Sequence, residues 1–469
     1  MSLPVAVRVN ELTEDFDPAT AHCERLFRDL DLAGLQKTPT PPRSAAVDWA
    51  LSGAMWLTGS SNGPPQFADG ALASAAHGAA LALGALAPDS GLDKLDGPAL
   101  FGERAALAGL SRQGCISAGG SARLLPTRGG IIALNLPRDD DWRLLPALLE
   151  TDSIDPIVLG DWTFVAEHVA HMDRSSLVQR GRLLGLAIAP ADRKTPNSCP
   201  YFKFQHESEV APTRWREKKI RLLDLTSLWA GPLATSLLAI AGIEVLKIES
   251  PERPDGARYG PKPFFDLLNG NKHGCTLNLH CERDRDFFEQ LLTSADIVLE
   301  SSRPRGLGQL GFDAGSWVQG RAGRIWASIT GYGRDSDAIA FGDDAAIAAG
   351  LGWPLDTSRK EARFCGDAIA DPLTGLHAAF CILAALTRGR GGLLDVSLLN
   401  VTAHAANIQH DGLALPTDVD STGDTNQWCV LEKNRRISIQ QPRSRNLTWT
   451  APPLAPMTED RLADWNGPC

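Results

Sequence analysis

One carboxylate stands out by its setting. Asp371 follows Gly366-Asp367-Ala368-Ile369-Ala370 and precedes Pro372-Leu373-Thr374-Gly375, and Leu376 to Leu386 is an apolar run with the spacing of a buried helix. An acid at the N-cap with proline at the first helical position is a good helix start. A carboxylate held there by backbone N–H groups and the helix dipole stays ionised at neutral pH, so one reading of Asp371 is a plain cap. The other makes it a carboxylate nucleophile, which needs support from elsewhere in the chain. Upstream of it lie small apolar residues around Gly350 and a polar turn region, Pro354 to Glu361.

An earlier stretch repeats this pattern. In residues 45–87, Gly53 matches Gly350, Gly63-Pro64-Pro65 falls in the polar gap, and GALASAAHG (70–78) matches DAIADPLTG (367–375). The spacing is equal, 74 − 53 = 371 − 350 = 21. Such repetition marks a duplicated supersecondary unit. Ser74 stands where the second copy has Asp371, so chemistry by a carboxylate there belongs to the second copy alone.

The elements that must position Asp371 are legible in outline. A chain of 469 residues exceeds one ordinary domain, and 43% hydrophobic with 22% charged residues is the composition of a soluble globular protein. A net charge of −10 argues against nucleic acid as the main partner, so an anionic ligand has to be met by local basic groups or helix N-termini. Nine dispersed cysteines without CxxC or a Cys/His cluster suggest reduced thiols in a cytoplasmic protein and no metal site. The N-terminus lacks a secretory pattern, and the longest apolar tract, 220–248, is broken by Asp224, Gly231, Pro232 and Glu244, so no membrane span is expected.

Residues 1–40 read as a lead-in. Residues 91–190 form a small α+β unit with a glycine segment at Gly119-Gly120, a hairpin over 122–137 turning at Arg128-Gly129-Gly130, a helix from Trp142 to Glu150 behind Asp139-Asp140-Asp141, and a helix from Ser175 to Leu184. Residues 191–218 are polar and proline-containing, with a basic Arg214–Lys218 run, and read as a linker. From 219 onward strands (220–226, 243–249, 295–300, 324–331) alternate with helices (230–241, 282–293). This predicts an α/β fold, a Rossmann-like mostly parallel sheet with helices on both faces, beside the smaller α+β domain. The first strand–helix turn, LDLTSLWAGPLA, is not G-x-G-x-x-G, and no Walker loop, H-E-x-x-H or G-x-S-x-G occurs, so a dinucleotide oxidoreductase is poorly supported.

Several motifs in 219–402 resemble, in order, the class III CoA-transferases: Asp224-Leu225-Thr226 with Ala230-Gly231-Pro232, Val245-Leu246-Lys247-Ile248-Glu249, Asn269-Gly270-Asn271-Lys272, Ala295-Asp296-Ile297-Val298-Leu299-Glu300 with Arg303-Pro304, and Ser328-Ile329-Thr330-Gly331-Tyr332-Gly333. The family includes formyl-CoA and carnitine CoA-transferases and the α-methylacyl-CoA racemases. The resemblance implies that Asp371 is the catalytic acid, that Gly119-Gly120 is the glycine loop over the site, and that Ser227, Trp229, Ala230, Lys247, Arg258, Asn271 and Lys272 match CoA contacts. It implies an organisation of a degenerate partial copy (1–90), small domain (91–190), linker (191–218), intact Rossmann-like domain (219–402) and returning tail (403–469). The family places its small domain after the Rossmann half, so the order here departs from the pattern. A homodimer or an internal pseudo-dimer is expected.

The implied activity moves CoA from an acyl-CoA to a carboxylic acid acceptor through aspartyl anhydride and aspartyl-CoA intermediates, with CoA as substrate and no permanently bound cofactor. Two alternatives stand beside it. Racemases of the family pair the aspartate with a histidine, whose matching position here is Phe341, and Asp343 and Asp344 beside it read as solvated acids. The second alternative is a non-catalytic CoA-binding protein.

Overall fold

The computed structural model describes residues 17–467 apart from positions 33, 36, 38, 152–159, 194–199, 212–214, 303–305, 354–360, 409–418, 422–427 and 433–434. The lead-in up to residue 16, most of the turn region at 354–361, the Arg303-Pro304 pair and Arg214 of the basic run therefore lie outside the described residues.

A three-stranded antiparallel sheet comes first, β1 (Ala122–Thr127), β2 (Gly130–Asn135) and β3 (Ala187–Pro190), in the order β1-β2-β3. The helices Leu145–Leu149, Trp162–Val169 and Arg174–Leu184 cover it with a core of their own, including Ile132, Leu134, Leu148, Val165 and Ile188. The single helix expected from Trp142 is two short ones, Asp139–Arg143 and Leu145–Leu149, because the second restarts at Pro146.

The main sheet has seven strands: β4 (Lys203–Glu209), β5 (Arg221–Leu225), β6 (Glu244–Glu249), β7 (His273–Thr276), β8 (Ile297–Glu300), β9 (Ile325–Thr330) and β10 (Arg390–Ser397). Their order is β4-β10-β9-β8-β5-β6-β7. Every pairing is parallel except β4 on β10. The stretch expected to be a linker thus supplies an edge strand, whose polar Lys-Phe-Gln-His-Glu pattern suits a position half open to water. A last small sheet, β11 (Val419–Ser421), β12 (Trp428–Glu432) and β13 (Arg435–Ser438), is antiparallel.

The apolar strands explain the layering. Successive side chains point to opposite faces, so Leu222, Ile297, Leu299, Ile325 and Ala327 enter one core while Leu223, Val298 and Trp326 enter the other. The first core holds the helices Ala230–Ile240 and Ala370–Arg388 together with N-terminal helices Pro18–Asp29 and Leu72–Leu86. The helix Ala370–Arg388 is long and apolar enough to cross a membrane by length and composition, but 89% of that window is buried inside the fold, as expected of a helix apolar on all sides at the centre of a core.

The two repeated stretches have like geometry. Short helices Ala45–Leu51 and Gly342–Ala348 are each followed by a left-handed glycine, Gly53 at φ +80° and Gly350 at φ +94°. The long helices that follow, Leu72–Leu86 and Ala370–Arg388, pack against each other.

Candidate active site

Asp371 does not cap its helix. The cap position is Ile369, with no side-chain hydrogen bond, so Asp371 sits at the second helical position. Its backbone N–H donates to Ala368 O at 2.9 Å, and its carboxylate, on a half-buried residue, has no hydrogen-bond partner among the described residues. The expectation of an acid kept ionised by the helix start is corrected. Burial pushes Asp371 up to about 7; Arg104 opposes this, and Asp343, Asp344 and Asp367 add to it.

The turn before the helix explains this placement. Ala368 is left-handed at φ +43°, an uncommon conformation for a residue with a Cβ, and it must be held by its surroundings. Asp343 holds it, accepting the Ala368 N–H at 2.9 Å. Asp343 and Asp344, expected to be solvated, are 5% and 0% exposed. They open the helix Gly342–Ala348, which lies against the turn, and Asp344 accepts from Asn135 Nδ2 of the small unit at 3.1 Å and from the Phe341 N–H at 3.0 Å. Burial above all raises Asp343 to about 6 and Asp344 to about 7.

Asp367 completes a group of four acids, and the first half of the chain answers it. Arg104, on the helix Glu103–Ala108, donates from Nε to Asp367 Oδ2 at 2.9 Å and from Nη2 to Asp367 Oδ1. Its guanidinium lies over the Trp229 ring, 5.4 Å from the centroid, and a Cβ added at Gly119 would be 3.0 Å from Nη2. Arg104 therefore gathers Trp229 and Gly119, both expected at the site, around the turn that carries Asp371. In the glycine segment the Gly120 N–H donates to Ser117 O at 2.9 Å in a closed turn.

The strand order reverses between β5 and β8, and in such sheets the crevice beyond the strand ends takes the ligand. Ser227 lies there, exposed, its N–H donating to Ser301 Oγ at 3.3 Å. Trp229 is 2% exposed, with an indole N–H that finds no partner among the described residues. Ala230 starts the helix Ala230–Ile240, and Gly375, one turn beyond Asp371, lies flush against it: a Cβ at Gly375 would be 2.5 Å from Ala230 O. This crossing brings the start of the helix Ala230–Ile240 to within one turn of Asp371 along the other helix.

The basic residues matched to CoA contacts are engaged inside the protein. Lys247, fully buried, donates to Thr226 O at 2.8 Å and pairs with Asp255 at 2.9 Å. Lys272 reaches Asp224 and Pro232 O at 3.0 Å and Asn269 at 2.9 Å; burial lowers it to about 8, with Asp224 pulling the other way. Arg258 forks onto Glu249 at 2.6 and 2.9 Å and covers the Phe265 ring at 4.2 Å. Asn271 donates to Ser236 O at 3.0 Å, and its buried Oδ1 has no partner among the described residues. These groups shape the loops of the crevice from beneath, and Asp255 passes the support upward by accepting the Leu228 N–H at 2.8 Å. A separate cleft of about 550 Å³, lined by Arg174, Arg182, Leu183, Asp192 and Asp337 among others, includes none of the four acids.

Sequence reasoning missed Arg104, which lies 263 residues before its partner, and it underrated Asp343, Asp344 and Asp367. Two acids in succession at a helix start were the one local signal. In the first copy the corresponding place is closed: Ser74 Oγ donates to Asp48 Oδ2 at 2.7 Å, and His77 Nδ1 lies 3.3 Å from the other oxygen.

The site therefore joins a mostly parallel α/β sheet with its switch point between β5 and β8 to an acid at a helix start whose carboxylate has no hydrogen-bond partner among the described residues. Residues 218–427 match the model of CoA-transferase family III, and this part of the chain is similar to the class III CoA-transferases. The formyl-CoA:oxalate CoA-transferase of Streptomyces avermitilis is 30% identical over 210 residues, covering 40% of this chain and 49% of that protein. The succinate–glutarate CoA-transferase of Agrobacterium fabrum is 29% identical over 202 residues, covering 39% and 50%. A CAIB/BAIF family protein from Brucella suis of known structure is 26% identical with a TM-score of 0.38, covering 40% of this chain and 55% of that one. The chain spans about half the length of the curated relatives it matches.

Proposed function

We propose that the protein transfers CoA from an acyl-CoA thioester to a carboxylic acid, with Asp371 as nucleophile. The observation that carries this reading is the carboxylate of Asp371, set at a helix mouth with no hydrogen-bond partner among the described residues, while its counterpart Ser74 is tied to Asp48. Asp371 attacks the thioester carbonyl, forming a mixed anhydride and releasing CoA thiolate. The thiolate attacks the aspartyl carbonyl, giving aspartyl-CoA and the free donor acid. An acceptor carboxylate then displaces the thiolate to form a second anhydride, and thiolate attack on its acyl carbonyl yields the new acyl-CoA and regenerates Asp371. The Gly119 N–H is the backbone donor offered to the developing oxyanions. The crevice formed by Ser227, Trp229 and Ala230 receives the CoA arm.

The relatives named for formyl-CoA, oxalate, succinate and glutarate make small dicarboxylic acids the first acceptors to try. Incubation with an acyl-CoA panel and hydroxylamine, followed by mass spectrometry, tests the reading. A hydroxamate at Asp371 supports it; turnover persisting in Asp371→Ala overturns it.

A second reading has one specific support: Asp343 and Asp371 are carboxyls on two facing elements, both with raised proton affinity, as an acid–base pair at an α-carbon requires. Exchange of the α-proton with deuterium from solvent, without CoA transfer, would select it.

A further inference from the structure

We propose that Arg104 is a positioning residue for the Asp371 carboxylate, supplied by the first half of the chain, and that its grip on Asp367 decides how much of its charge Asp371 feels. The inference rests on the reading of Asp371 as nucleophile. Four acids meet at this turn, and Arg104 is the cation set among them. Asp367 precedes Asp371 by one helical turn, is fully buried, and takes two of the guanidinium's donor edges, Nε and Nη2. The third nitrogen, Nη1, makes no hydrogen bond among the described residues. The guanidinium cannot swing away, because the Trp229 ring lies beneath it and Gly119 closes on Nη2. Its helix is fixed as well: the preceding residue, Glu103, is buried and forks onto Arg445 at 2.6 and 3.0 Å.

The charged and polar groups that bear on Asp371 come from every neighbouring element. The helix Glu103–Ala108 brings Arg104, the helix Gly342–Ala348 brings Asp343 and Asp344, and the turn itself brings Asp367. Asp344 is in turn faced by Asn135, and by Tyr332 with Arg182 over its ring at 4.9 Å. Against three flanking acids, a single fixed cation is what allows Asp371 to ionise near neutral pH. A carboxylate that attacks a thioester has to be ionised, so this cation governs the pH at which the first step runs.

A plain ion pair joining the two halves of the chain would have the same contacts, and titration separates the two roles. In the full chain, the carboxyl ¹³C resonance of Asp371, identified by its loss in Asp371→Asn, is followed against pH. Arg104→Gln should raise the proton affinity of Asp371 about tenfold or more, Asp367→Asn should lower it, and Arg104→Lys should restore the wild-type midpoint. Unchanged midpoints in the folded variants overturn the proposal, and if Arg104→Gln does not fold, Asp367→Asn decides alone. Hydroxylamine capture at Asp371, measured on the same samples, should follow the midpoints. Shifted midpoints without capture in any protein support Arg104's control of the charge while removing the transferase reading.

Discussion

Gly342 and Asp371 stand so close that a Cβ added to Gly342 would lie 2.6 Å from Asp371 Oδ2 and 2.3 Å from the Ala368 carbonyl oxygen. The backbone of one helix start thereby forms one wall of the seat of Asp371. A backbone oxygen cannot yield as a flexible side chain would, so Gly342→Ala has to displace the left-handed turn that launches Asp371. We expect it to cost about 1–3 kcal/mol of stability and at least about 100-fold in hydroxamate capture. Denaturant unfolding and capture rates on the same preparation check both.

Asp371 is held at the expense of stability. Its carboxyl is raised from 3.8 to about 7 in the fold, so its contribution is fully present below pH 3.8 and is lost as pH rises through about 7. Asp371→Asn escapes that loss. The variant should melt higher than the wild type by roughly 2–4 °C at pH 8, with the difference shrinking towards pH 4, while transfer activity disappears. Melting curves at a series of pH values are the measurement.

The first copy should be inert in catalysis. Ser74→Ala leaves the fully buried Asp48 without its 2.7 Å hydroxyl donor, for about 1–3 kcal/mol of destabilisation and no change in capture at Asp371. Ser74→Asp would set two carboxylates together in a closed pocket and should unfold the helix pair without creating a second site of hydroxylamine labelling.

Acid should weaken the protein through three buried histidines. His377 Nδ1 lies 2.8 Å from Leu373 O and must carry the hydrogen, so His377 Nε2 accepts from His22 Nε2 at 3.0 Å. Burial foremost lowers His22 well below its ordinary value, His377 to about 4 and His404 to about 3. The unfolded chain therefore takes up protons first, and stability falls as pH drops through 6.5 towards 4, by on the order of 3 kcal/mol for His377 alone. Replacing His22 and His377 together by Leu should flatten that part of the stability profile.

Lys272 is expected to matter for folding before binding. Lys272→Met strands Asp224, which is fully buried, and should cost about 3–5 kcal/mol. A loss confined to the KM for an acyl-CoA, with unchanged unfolding, would instead put Lys272 at the ligand.

Local patterning made the architecture readable from residue order. Apolar strands alternating with helices over 219–331 required a covered, mostly parallel sheet, and the 21-residue spacing from glycine to helix start exposed the two related hairpins before either was seen folded. The edge strand Lys203–Glu209 escaped, since a polar strand open on one side carries the composition of a loop.

The amino-acid order by itself singled out Asp371, the motifs of the α/β half and the loss of the acid at Ser74, because each depends on neighbours a few residues apart. Only the folded chain decided what surrounds that acid. Whether Asp343 and Asp344 were solvated or closed off, whether Asp371 capped its helix, and that Arg104 would arrive from 263 residues away all depended on which surfaces the cores brought together. Desolvation and Coulomb forces act through space, and the proton affinity of a carboxyl is set by groups within a few ångströms of it, wherever they stand along the chain.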